Sequence, residues 1–124
     1  MPKLKALVLL VFWLSIVTSL SLVKFGKLPV VPVENSDKLV HFVFYFITAL
    51  LCFWVLRTFA VSFLLSLLIS LVFSVGYGIL IEIMQDNFTE TRRFEWNDIF
   101  ANTLGALVAL FGVLLLRYKV KFFK

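Results

Sequence analysis

Three stretches of the chain each run for eighteen residues without a charged side chain, between Lys5 and Lys24, Lys38 and Arg57, and Asp98 and Arg117; a fourth, longer one separates Arg57 from Glu82. An α-helix rises 1.5 Å per residue, so about 20 apolar residues cross the roughly 30 Å hydrocarbon layer of a bilayer. Each run is long enough to span, and the longest has room for tilt and a short turn. The charges sit in clusters between the runs, as spans and loops alternate. Of the 124 residues, 62% are hydrophobic and the mean hydropathy is +1.05, more apolar surface than a soluble domain of this size can hide. The expected fold is all-α, a membrane-spanning four-helix bundle forming a single domain over residues 1–124, with spans at about 6–23, 39–56, 60–81 and 99–116.

The second and third spans are joined so tightly, around Arg57, Thr58 and Phe59, that they should form an antiparallel hairpin. The first run opens with Met1, Lys3 and Lys5 and ends near the small residues Ser19 and Ser21, features shared with signal peptides, but its length favours an uncleaved anchor. An even number of spans puts both termini on one side, together with Lys3, Lys5, Arg57, Arg117, Lys119, Lys121 and Lys124. The other side holds Lys24, Lys27, Lys38, Arg92 and Arg93 and every carboxylate: Glu34, Asp37, Glu82, Asp86, Glu90, Glu95 and Asp98. The excess of cations on the first side places both termini in the cytoplasm, where the basic tail after Leu116 suits an anionic leaflet. The loop around 24–38, with Pro29 and Pro32, and that around 84–98 then face outward.

A single cysteine, Cys52, lies inside an apolar run, which excludes an internal disulfide and a cysteine metal site. The net charge of +5 reads as a topology signal rather than a nucleic-acid surface. No P-loop, nucleophile elbow, HExxH or dinucleotide fingerprint is present, so no cofactor is indicated.

The polar residues at the outer ends form stripes. Asp37, His41 and Tyr45 are four apart at the start of the second helix; Glu82 and Gln85 are three apart, with Asp86 one turn beyond Glu82, at the end of the third. Asp98 and Asn102 are four apart at the start of the fourth, and Gly105 and Ala109 continue that stripe inward. Ionisable groups at membrane depth are costly unless they meet one another or a wet cavity, so convergence of the three stripes is expected. A hydrogen-bonded structural plug would satisfy the same requirement. Asp37 and Asp98 suit helix N-termini equally well as caps. Glu82 is the strongest single candidate, because a carboxylate is disfavoured at the helix C-terminus where the charge-free run places it, and Gly78 four residues back leaves room beside it. His41, the sole histidine, could shuttle a proton with Asp37 orienting it. A metal site from His41, Asp37, Glu82 and Asp98 is conceivable, but one imidazole among dispersed acids is a weak signal, and no metal is expected. Arg92 and Arg93, near Trp96, could grip a phosphate at headgroup level or act as ordinary interfacial anchors.

This constellation resembles the VanZ-like family of bacterial membrane proteins. The resemblance rests on Asp37-Lys38-x-x-His41 followed by Tyr45, on Glu82-x-x-Gln85, and on Arg92-x-x-Glu95-Trp96-x-Asp98 running into Ala101-Asn102-Thr103-Leu104-Gly105-Ala106. It covers residues 37–106, with Arg92 the better match to the family arginine; where the family usually has proline or glycine just before it, this chain has Thr89-Glu90-Thr91. The resemblance implies a multi-pass protein of the bacterial cytoplasmic membrane with a link to tolerance of glycopeptide antibiotics such as teicoplanin.

Two classes of function follow. In one, an outward-facing pocket binds or modifies a lipid-linked or cell-envelope headgroup, with Glu82, His41, Asp98 and Asp37 handling protons and Arg92, Gln85, Asn102, Lys38, Tyr45 and Trp96 binding; its partners are membrane lipids or a lipid-linked envelope precursor. In the other, the chain is a non-enzymatic scaffold or accessory subunit whose polar cluster locks the helices. A proton-coupled carrier fits less well, since no ionisable residue falls near the bilayer midplane. The small residues of the fourth helix offer a face for a second copy, and thus for a homo-oligomer.

Overall fold

The structure, a computed structural model, describes residues 2–22, 36–88 and 94–123. They form four helices: α1 (Pro2–Leu22), α2 (Ser36–Thr58), α3 (Phe63–Phe88) and α4 (Trp96–Phe123). All four are long and apolar enough to cross a membrane. Each shows large apolar side chains outward, such as Phe12 on α1, Leu39 on α2, Leu64 on α3 and Phe111 on α4. Such surfaces on every helix are matched by lipid rather than water. The chain is a multi-pass α-helical membrane protein.

The helices overrun the charge-free runs. α3 passes through Glu82 and ends at Phe88, and α4 starts at Trp96 and continues past Arg117. A charge marks where apolar sequence stops, not where the backbone ladder stops; between Ile79 and Phe88 no glycine or proline interrupts it. Glu82 therefore lies well inside α3, and the helix C-terminus expected beside it is more than a turn away.

The α2–α3 hairpin closes on a Schellman-type turn. Val61 N–H donates to Leu56 O and Ala60 N–H to Arg57 O, both at 3.1 Å, with Ala60 in the left-handed region at φ 64°. Ser62 then caps α3 by accepting from Leu65 N–H at 3.3 Å.

α2 makes its broadest contact with α4, and the two run parallel, since Lys38 meets Asp98 and Ala49 meets Ala109. Small residues permit the approach. A Cβ added at Gly105 would collide with the Phe42 carbonyl oxygen, and Ala49, Ala106, Ala109 and Leu110 form the buried seam. Gly105, Ala106 and Ala109 of α4 thus seat α2, whereas Gly112 on the same helix has nothing within 4 Å. α3 is antiparallel to both and turns inward a stripe of Ser66, Ser70 and Ser74, all fully buried, that continues through Gly78 to Glu82. Among the described residues, α1 packs on α2 and α3 but not on α4. The Trp13 indole N–H donates to Thr48 Oγ1 at 2.9 Å, and Thr18 hydrogen-bonds Tyr77.

Candidate functional site

With this topology the starts of α2 and α4 and the ends of α1 and α3 share one end of the bundle, which is where the polar stripes converge. Tyr45, Glu82, Gln85, Asn102, Asp98 and His41 are all at most 4% exposed. That degree of burial demands that each polar group be met by another.

His41 lies one turn into α2 and faces α4. Its Nδ1 is 3.0 Å from Asn102 Oδ1, and its Nε2 is 3.7 Å from Asp98 Oδ2. Asp98 belongs to the first turn of α4, where the helix dipole favours a carboxylate. Its side chain turns toward α2: Oδ1 is 2.8 Å from Lys38 Nζ. The same ammonium lies 2.7 Å from Glu95 Oε2, so Lys38 ties α2 to two acids at the start of α4. Glu82 reaches the same level from α3, where its Oε2 accepts from the Glu95 backbone N–H at 3.2 Å. Gln85 Nε2 donates to the Ser21 carbonyl at 2.8 Å and so satisfies one of the open carbonyls of α1's last turn.

Asn102 fills the space beside Gly78. A Cβ on that glycine would stand 2.7 Å from Asn102 Nδ2. The room that Gly78 was expected to leave beside Glu82 therefore holds a side chain from α4. The Tyr45 side chain, one turn inward of His41 on the same helix, is fully buried. Among the described residues, neither Tyr45 Oη nor Asn102 Nδ2 has a hydrogen-bond partner. One donor atom each from His41, Glu82 and Asp98 lies within 4.8 Å of the others.

The structure thus brings together His41, Tyr45, Glu82, Gln85, Asp98 and Asn102, with Lys38 at the rim. Trp96 is elsewhere: it is 66% exposed and packs edge-on against Phe94, ring centroids 5.2 Å apart, as an interfacial anchor does. Arg92 and Arg93 lie outside the described residues, as does the side chain of Asp37. Among the described residues, the groups that meet the His41 ring come from α4. Two contributors were not anticipated. Glu95 serves the cluster through both its side chain and its backbone N–H, and its only sequence signal was its place in the Arg92-x-x-Glu95-Trp96 pattern. Ser21 contributes a main-chain carbonyl, which leaves no trace in side-chain patterning.

No family model, curated protein or solved structure matches this chain.

Proposed function

We propose that this cluster forms the floor of an extracytoplasmic pocket, in a VanZ-like protein of the bacterial cytoplasmic membrane, that binds or modifies the polar headgroup of a lipid-linked or cell-envelope molecule. The observation that carries the reading is the meeting of His41, Glu82 and Asp98 from three helices at one end of the bundle. Ionisable side chains at membrane depth are expensive, and their assembly in one place is the usual mark of a working site. In this reading Glu82, His41 and Asp98, with Asp37, move or hold protons. Lys38, Gln85, Asn102 and Tyr45 hold polar groups of the ligand, and Arg92 and Trp96 meet the phosphate and the interfacial part of the lipid. The cytoplasmic placement of both termini, which puts the pocket outside, rests on the excess of cations on the terminal side. The link to teicoplanin tolerance rests on the family resemblance.

A second reading is favoured by the near-complete burial of the same residues: a scaffold or accessory subunit in which the cluster only locks α2, α3 and α4 together. The two part on Glu82→Ala and His41→Ala, compared at equal membrane abundance. The headgroup reading expects a changed lipid profile or lost phenotype from each; an unchanged profile and phenotype in both would remove it. The scaffold reading expects any activity to scale with the amount folded.

A further inference from the structure

The gap between His41 Nε2 and Asp98 Oδ2 is 3.7 Å, too long for a hydrogen bond. It is close to the spacing of two donors on one ion, since ligands about 2.0–2.2 Å from a tetrahedral metal stand roughly 3.3–3.6 Å apart. A Glu82 oxygen completes a set in which all three donor atoms lie within 4.8 Å of one another, with all three residues buried.

Each donor is also held by another group. Asn102 Oδ1 takes His41 Nδ1 at 3.0 Å, Lys38 Nζ takes Asp98 Oδ1 at 2.8 Å, and the Glu95 N–H takes Glu82 Oε2 at 3.2 Å. Contacts of this kind aim metal ligands and set their basicity. The Asn102 contact also selects a tautomer: a proton on Nδ1, donated to Oδ1, leaves the Nε2 lone pair toward the carboxylates. Tyr45 adds an independent sign. Its hydroxyl is fully buried one turn inward of His41 and has no hydrogen-bond partner among the described residues. A polar group in that condition calls for something in the same space.

Two buried carboxylates, Glu82 and Asp98, meet across the cluster, and a cation between them lowers the cost of burying both.

We propose that His41, Glu82 and Asp98 bind one divalent transition metal ion, with zinc the best match to one imidazole and two carboxylates. Three protein donors leave a coordination position for water or a substrate oxygen. The inference goes beyond the headgroup reading and needs only the cluster geometry, whether or not a lipid binds.

The test uses the full chain, extracted in detergent without chelator. Elemental analysis should find about one zinc per chain. After stripping, Co²⁺ titration should give visible ligand-field bands at one equivalent, and Zn²⁺ should abolish them. His41→Gln and Asp98→Asn should each lower retained zinc at least tenfold while helix content and elution stay those of the parent. If either variant fails to fold, the Co²⁺ titration of the parent chain decides alone. A parent chain that takes up neither ion, or folded variants that retain as much metal as the parent, would overturn the proposal. Native mass spectrometry of retained lipid, with and without the metal, separates this outcome from the fate of the headgroup reading.

Discussion

His41 Nδ1 sits 3.0 Å from Asn102 Oδ1, a buried contact between residues sixty-one positions apart. It joins the second turns of α2 and α4 and sets the direction in which the imidazole faces. Asn102→Ala should leave a buried ring nitrogen unsatisfied, at a cost of about 1–3 kcal/mol. Thermal unfolding in detergent of both single variants and of Asn102→Ala with His41→Ala measures it; losses that simply add would show that the two side chains are not coupled.

Gly105 and Gly112 lie on the same helix in opposite circumstances. A Cβ at Gly105 meets the Phe42 carbonyl, which belongs to helix backbone and cannot move aside, whereas Gly112 has nothing within 4 Å. Gly105→Ala should destabilise by about 1–3 kcal/mol through overpacking. Gly112→Ala should be neutral or stabilise by up to about 1 kcal/mol through helix propensity. Membrane abundance and melting temperature report both, and equal tolerance at the two sites would show that α2 and α4 are not in this register.

Ala60 adopts φ 64° at the end of α2. A Cβ is disfavoured there, so Ala60→Gly should stabilise the hairpin by about 0.5–1 kcal/mol. A lower melting temperature for the glycine variant would mean that this turn does not form as described.

Lys38 is partly exposed, while the Asp98 carboxylate it holds is buried. Lys38→Met leaves that carboxylate without its cation, and breaking a buried pair in this way costs about 3–5 kcal/mol. Lys38→Arg should retain most of the stability. Should methionine and arginine behave alike in thermal unfolding, the ion pair contributes nothing.

Membrane sidedness is open to cysteine labelling. With buried Cys52 replaced by alanine, Asn35→Cys and Asn87→Cys should react with an impermeant thiol reagent from the same, outer side. Phe59→Cys, in the exposed turn between α2 and α3, should react only after permeabilisation. Opposite sidedness for Asn35→Cys and Asn87→Cys would dismantle the shared outer pocket.

The number of helices, their order and the tight α2–α3 hairpin were legible in the residues alone, as was the gathering of polar stripes at one end. Membrane spanning depends on apolar transfer summed over a local window, and charges mark its limits whatever the rest of the chain does. Helix ends were less legible, because the hydrogen-bond ladder of α3 runs on through Glu82, Gln85 and Asp86 where hydropathy has already fallen.

Partner choice within the cluster was settled only by tertiary packing. Periodicity could place His41 and Tyr45 on one stripe but could not name the helix they would meet; the imidazole meets Asp98 and Asn102 because Gly105 lets α4 settle against Phe42 and so sets rotation and register between the two helices. Likewise Gly78 read as free space until Asn102 filled it. Interhelical register comes from the fit of small residues far apart in the chain, and no local sum of residue properties contains it.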